Sequence, residues 1–290
     1  MNEKILVTGG LGFVGSHLVD SLADSGNEVT VIDNLCSESS SRKYMRSDVR
    51  YWIDDVRNIN SYKYENEEFD IVYHLAALAR IQPSFKDPLT YLSIDIMGTS
   101  NVLDYARRKE ARVVYAGSSS AYAGPMLNPY AFAKFTGEQV CEMYNKVYGM
   151  SVVTARFFNV YGDRQPTSGA YATVVGVFEG QKLNNRCLTV TGNGEQRRDF
   201  THISDIVSGF EALGKGLHCA EIYQLGTGKN HSINELAEMF GGEIEYIPPR
   251  PGEAWTTLAD PASMEKETGW AAKIDISTYV QNWLNNKCLS

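Results

Sequence analysis

Tyr130 and Lys134, four residues apart in Tyr130-Ala131-Phe132-Ala133-Lys134, are the residues whose types and spacing could move a proton. On a helix that spacing places both on one face, one turn apart. A free phenol titrates near 10, and an ammonium beside it can lower that by about 1–3 units, which makes tyrosine an acid/base usable near neutrality. Asn128-Pro129 opens the helical stretch that carries the pair. Upstream, the short apolar strand Arg112–Ala116 ends in Gly117-Ser118-Ser119-Ser120, so a strand-end hydroxyl could bond the same phenol oxygen and hold a substrate. Counting from the strand selects Ser118, with Ser119 the alternative register. Taken alone, a tyrosine and a lysine so spaced are usually just a solvated helix face. The elements that precede them give the pair its chemical reading.

The first of these elements is Thr8-Gly9-Gly10-Leu11-Gly12-Phe13-Val14-Gly15, set between the apolar run Lys4–Val7 and a helix-like stretch from Phe13 to about Ala23. Gly9, Gly12 and Gly15 let the backbone turn sharply and approach a pyrophosphate, whose charge the amides at Phe13 and Val14 would face. About twenty residues on, the β-rich run Glu28–Ile32 ends in Asp33-Asn34. A carboxylate there accepts both hydroxyls of an adenosine ribose and repels a 2′-phosphate, so the expected cofactor is NAD, not NADP. Val49–Ile53 is the next strand, closed by Asp54-Asp55-Val56. Asp55 is the expected partner of the adenine amino group, with Asp54 the alternative and a helix cap the competing role. Phe69–Leu75 runs into Ala76-Ala77-Leu78-Ala79, where Leu75, Ala76 and Ala77 would let a flat cofactor lie against the backbone or would serve close helix packing. Leu89–Lys109 has helical spacing.

Strand and helix thus alternate from the first residues, which argues an α/β chain built on a Rossmann-type doubly wound parallel sheet. At 290 residues the length suits one such domain carrying a smaller second one. With 27 Lys plus Arg against 35 Asp plus Glu, a net charge of −8 and no basic stripe, nucleic acid is a poor partner. No apolar stretch approaches the roughly 20 residues of a membrane span, and the N-terminus enters the first strand at once, so a cytoplasmic protein is expected. Cys36, Cys141, Cys187, Cys219 and Cys288 make no paired spacing, and neither do His17, His74, His202, His218 and His231; reduced thiols and no metal are expected.

The glycine run, Asp33-Asn34, Asp55-Val56, His74-Leu75-Ala76-Ala77, the serines 118–120, Tyr130…Lys134 and Arg156-Phe157-Phe158-Asn159-Val160-Tyr161-Gly162 together resemble the extended short-chain dehydrogenase/reductases. Within them the chain is similar to the nucleotide-sugar epimerase/dehydratase family, with the motifs in order over essentially its whole length. The resemblance implies an NAD-binding domain over residues 1–162, to which residues of about 195–230 return, and a mainly nucleotide-sugar-binding α/β domain over 163–290. It makes Ser118, Tyr130 and Lys134 the catalytic set, with Ser119 and Asn159 on the substrate. Ala170–Lys182 becomes a helix over the uridine. Arg198, in Gly192-Asn193-Gly194-Glu195-Gln196-Arg197-Arg198-Asp199-Phe200, and Arg250, in Pro249-Arg250-Pro251-Gly252-Glu253, would both grip a diphosphate, for which paired guanidinium bonds are well suited. Seven residues beyond Arg250, Thr257 falls at a family gate that is small in enzymes accepting N-acetylhexosamines.

The implied reaction is 4-epimerisation of a UDP-hexose or UDP-N-acetylhexosamine through a transient 4-keto sugar. Ser119 and Ser120 stand where related dehydratases place an Asp-Glu pair, which favours an epimerase. A nucleotide-sugar oxidoreductase or dehydratase and a catalytically silent NAD-binding sensor are the alternatives. A homodimer through the helices Leu89–Lys109 and Ala131–Tyr148 is the implied assembly. The chain departs from the family pattern in two places. The segment Gly124–Pro129 before the tyrosine is short, so a wall of the sugar pocket should be missing or rebuilt, and Asp95 stands where an asparagine is usual.

Overall fold

The computed structural model describes residues 2–37, 40–216 and 221–287; His218, Cys219 and Cys288 lie outside them. Seven parallel strands form the central sheet: β1 (Lys4–Thr8), β2 (Glu28–Ile32), β3 (Arg50–Trp52), β4 (Ile71–His74), β5 (Arg112–Ser118), β6 (Val152–Phe157) and β7 (Ile222–Leu225). Across the sheet they run β7, β6, β5, β4, β1, β2, β3. The strands read as unbroken apolar runs because helices cover both faces. Ile5, Val7, Ile71, Tyr73, Val114 and Ala155 point to one side, against Leu18 and Leu22 of the helix Phe13–Asp24 and Ile206 and Phe210 of the helix Ile203–Lys215. Leu6, Val72, Val113, Tyr115 and Val152 point to the other, against Val102 and Leu103 of the helix Thr99–Arg108 and Cys141 of the helix Pro129–Tyr148.

Several expected boundaries move. The strands expected over Val49–Ile53 and Phe69–Leu75 shorten to β3 and β4. The helix expected over Leu89–Lys109 is three joined pieces: Pro88–Leu92, a π-helical Ser93–Gly98 and Thr99–Arg108. At the π segment the hydroxyls of Thr99 and Ser100 bond back to the carbonyls of Asp95 and Ile96, a competition with the backbone ladder that its periodicity does not reveal. The helix expected from Ala170 starts at Val174, where the Thr173 hydroxyl accepts from the Gly176 amide and caps it.

The later part of the chain builds a smaller body in which Leu188–Thr191 pairs with Ile244–Ile247. Phe178, Val190, Leu236, Phe240 and Val280 form its core. The chain also returns to the large sheet, with the helix Ile203–Lys215 on one face and β7 along the edge beside β6. No helix among the described residues is long and apolar enough to cross a membrane.

The helix Pro129–Tyr148 is fixed to the sheet by a buried ion pair. The Arg156 guanidinium on β6 donates twice to the Glu138 carboxylate, at 2.9 and 2.7 Å, and Glu138 is withdrawn from water. Removing one member of such a pair strands the other charge. Arg156→Met should lower unfolding free energy by about 3–5 kcal/mol in denaturant titration, while Glu28→Gln, exposed at the start of β2, should change it by less than about 0.5 kcal/mol.

Candidate active site

The site lies along the C-terminal ends of the strands, as the crossover topology of an open parallel sheet dictates. One cavity of about 450 Å³ runs from Asp33 to Arg250. At its first end β1 leads into the glycine turn. Here Gly15 passes so close that a Cβ on it would sit 2.1 Å from the Gly9 carbonyl oxygen, so only glycine permits this turn. Gly9, Gly12, Phe13, Val14 and Gly15 line the cavity, and the first turn of the helix Phe13–Asp24 carries no acidic residue to compete for its amides. Asp33 is held at the end of β2 by the Leu11 amide (3.0 Å) and the Leu35 amide (2.8 Å), and burial pushes its carboxyl up. Asn34 donates to Asp55 at 2.9 Å.

Asp54 and Asp55 both line the cavity, and Asp55 fills the capping role: it accepts from the Arg57 amide and caps the turn Val56–Asn58. Asp54 accepts from Asn58, Tyr64 and Lys63, and these bonds hold its carboxyl at about 2. Val56, Leu75, Ala76 and Ala77 line the same wall. Behind it His74 bridges the hydroxyls of Thr8 (2.7 Å) and Thr99 (2.9 Å), and full burial pushes its pKa down to about 3, so it is a neutral strut.

At the centre, Ser118 is the last residue of β5 and caps the short helix Ser119–Ala123. Tyr130 donates to its hydroxyl at 3.2 Å; of the two candidate serines it is Ser118 that meets the phenol, while Ser119 lines the cavity beside it. Asn128 caps the helix Pro129–Tyr148 by accepting from the Ala131 amide at 2.7 Å, which sets the angle at which Tyr130 enters the cavity. Lys134 lies one turn on, buried, its ammonium donating to the Ala116 carbonyl at 2.9 Å.

One expectation is overturned here. Lys134 does not bring the Tyr130 phenol down; burial, opposed by the Ser118 bond and by Arg80, pushes it up to about 12. Desolvation outweighs the lysine because the ammonium is turned toward the carbonyl end of β5 and is itself pulled down by burial. Asp95, in the π segment, accepts from the Leu78 amide at 2.8 Å, while its other oxygen is buried with no hydrogen-bond partner. Burial, opposed by Lys134, pushes its carboxyl up to about 7.

At the far end Asn159, with φ of +30°, lines the cavity and donates to the Asp199 carbonyl (2.9 Å) and the Thr257 hydroxyl (3.1 Å). Thr257 is therefore not at a gate. It is absent from the cavity lining and stands behind Asn159, buried and tied through its amide to the Arg197 carbonyl, because Arg197–Arg198 and the strand-like stretch at Thr256 run side by side. Arg198 lines the cavity, donates to the Arg197 carbonyl and lies 3.6 Å from Glu253. Arg250 lines the cavity from an exposed position. Arg250 and Glu253 line the cavity from the loop Pro249–Glu253, to which Gln82 donates at the Pro251 carbonyl and Asn128 at the Gly252 carbonyl. Sequence reasoning missed Arg80, Ile81, Gln82 and Tyr171, all of which line the cavity. An arginine directly after the small-residue run at the end of β4 was the available signal for the first of them.

A phenol bonded to a serine, a lysine one helical turn on and a glycine turn with a carboxylate at the end of the next strand define a short-chain dehydrogenase/reductase of the extended type. The chain belongs to the NAD dependent epimerase/dehydratase family, whose model matches residues 5–226. It is 32% identical to a protein of Methanocaldococcus jannaschii provisionally named a UDP-glucose 4-epimerase, over 97% of this chain and 98% of that one. It is 34% identical to UDP-glucuronic acid decarboxylase 1 of Xenopus tropicalis over 84% of this chain and 62% of the other. It superposes with a TM-score of 0.88, at 27% identity and over 99% and 100% of the two chains, on the UDP-glucuronic acid 4-epimerase of Bacillus cereus in complex with UDP-glucuronic acid and NAD. NAD is accordingly the cofactor, and the residues fit it, since the turn closes only with glycine at 15 and Asp33 is held by two backbone amides where an adenosine ribose would lie.

Asp95 yields a prediction with a definite sign. Its carboxyl holds a proton more tightly folded than unfolded, so its contribution to stability is complete below about pH 4 and is lost as pH rises through about 7. The groups that face it are Lys134, Tyr91, Tyr115 and Tyr130, of which Lys134 alone is cationic. Asp95→Asn should therefore gain stability relative to wild type between pH 4.5 and 8, on the order of 3 kcal/mol in paired urea titrations. A constant difference across that range would show the carboxyl to be unperturbed.

Proposed function

We propose that this chain is an NAD-dependent 4-epimerase of a UDP-linked hexose. The observation that carries the reading is the 3.2 Å bond from Tyr130 to Ser118 in a cavity that the glycine turn, Arg198 and Arg250 also line. When bound, NAD supplies the acceptor and donor of hydride at the sugar's C4, and its oxidised ring adds the positive charge that draws the Tyr130 phenol down from the value burial sets. Tyr130 takes the proton of the C4 hydroxyl and later returns it, while Ser118 orients that hydroxyl. Arg198 and Arg250 grip the diphosphate, both amide N–H groups of Asn159 being taken by the Asp199 carbonyl and the Thr257 hydroxyl, and they leave the ring free to present its other face to the cofactor. Binding at a remote handle with freedom at the reacting ring suits a reaction whose two outcomes differ only in that face. Ser119 and Ser120 supply no acid and base for removing water, which favours epimerisation over dehydration.

The homodimer belongs to the same reading. Met97 on the π segment and Met143, Val147 and Tyr148 on the helix Pro129–Tyr148 are exposed, an apolar surface that a second copy would cover. Met143→Glu combined with Val147→Glu should shift sedimentation from dimer to monomer; a wild-type monomer would refute the assembly.

Incubation with UDP-glucose, UDP-N-acetylglucosamine and UDP-glucuronate, each resolved chromatographically from its 4-epimer, should show interconversion with no net NADH. Tyr130→Phe should lower kcat by about 10³-fold or more while retaining NAD. Stoichiometric NADH release would replace the epimerase by an oxidoreductase, and unchanged turnover in Tyr130→Phe would remove the tyrosine from the mechanism.

A further inference from the structure

Arg80 has no part in the reading above, although it lines the cavity beside the tyrosine. Its Nε donates to the Tyr171 carbonyl at 2.6 Å and its Nη1 to the Ala79 carbonyl at 3.0 Å, which orients the guanidinium and leaves three of its five N–H groups over. Other arginines drawn out of water here face carboxylates: Arg156 meets Glu138, Arg198 meets Glu253 and Arg164 meets Asp20. Among the described residues Arg80 has no acidic partner, and the titratable groups around it are the phenols of Tyr130, Tyr91 and Tyr171. A cation partly withdrawn from water without a counter-charge is costly unless an anion joins it.

The place of that anion follows from what Arg80 faces. Arg198 and Arg250 are assigned to the diphosphate, whereas Arg80 faces the phenol of Tyr130, which marks the reacting hydroxyl. The anion is therefore on the sugar, close to the carbon that reacts. In a hexuronate the C6 carboxylate is two bonds from C4, and its two oxygens match a guanidinium edge. We propose that Arg80 binds the C6 carboxylate of a nucleotide-linked hexuronate and makes that class the preferred substrate. This rests on the 4-epimerase reading. The C4–H hydride passes to NAD⁺ and the hydroxyl proton to Tyr130; both return with the opposite configuration at C4, and the C5–C6 bond stays intact. The 4-keto form is a β-keto acid that could lose CO₂, but that loss carries negative charge away from the carboxylate. A guanidinium bound there stabilises the charge where it is and opposes the loss.

The test compares kcat/KM for 4-epimerisation of UDP-glucuronate, UDP-glucose and UDP-N-acetylglucosamine by wild type, Arg80→Gln and Arg80→Lys, with calorimetric binding of UDP-glucuronate and UDP-glucose to the same proteins. Wild type should prefer UDP-glucuronate by about 100-fold and release UDP-galacturonate without CO₂. Arg80→Gln should collapse that preference by about 30–100-fold, chiefly through KM, and Arg80→Lys should recover part of it. Thermal midpoints of the variants separate loss of binding from loss of fold. An equal fall on both substrates would place Arg80 on the diphosphate or in the scaffold, and a UDP-pentose with CO₂ would refute the protective role; either overturns the inference. Epimerisation of the neutral sugars alone would overturn it and leave the epimerase reading standing. Binding of UDP-glucuronate that is tighter than that of UDP-glucose and lost in Arg80→Gln, with no epimer from any sugar, would do the reverse.

Discussion

The close seating of the helix Pro129–Tyr148 on the ends of β5 and β6 is the constraint on which the site depends. At Gly137 a Cβ would lie 2.3 Å from the Tyr115 phenol oxygen, so the helix can sit this near only because that position has no side chain. One turn before it, the Lys134 ammonium reaches the Ala116 carbonyl; one residue after it, Glu138 takes both bonds from Arg156. These contacts share one face of one helix, and Tyr130 is on that face, one turn nearer the N-terminus. Its bond to Ser118 follows from how the helix is docked.

Docking at this depth has an electrostatic consequence. Tyr130, Lys134, Asp95 and His74 are all buried, and for each of them desolvation is the largest influence on the proton. Burial favours the neutral form of each. A positive ring brought against the phenol then acts in surroundings that screen it weakly, where a charge has more effect than it would in water. The carboxylate at 95 adds a group that titrates close to neutrality behind the lysine, where an amide side chain would be silent.

The far end of the cavity is built differently. There the polar groups come from loops and two-residue strands, and they hold one another: Asn159 to Thr257, Arg198 to Glu253, Gln82 and Asn128 to the loop Pro249–Glu253. The result is a pocket wall assembled from segments distant in sequence. This is the part of the site that can change between relatives without disturbing the sheet.

The sequence by itself determined the parallel sheet, the glycine turn, Asp33 at the end of β2 and the pairing of Tyr130 with Lys134. Each of these is written in local spacing: apolar runs with flanking turns, glycines where a Cβ cannot go, and a separation of four on a helix. Only the tertiary structure decided the rest. The choice of Ser118 over Ser119 needed the angle of a helix that starts eleven residues beyond the serine. The π segment at Asp95 arises from side-chain bonds to the backbone that leave the apolar periodicity intact, so the pattern read as one helix. Thr257 moved from gate to support, and Arg80 entered the site, because whether a loop side chain faces a cavity or its neighbours depends on contacts with residues far away in the chain. The raised Tyr130 phenol has the same origin, since burial is a property of the packed molecule and no spacing along the chain encodes it.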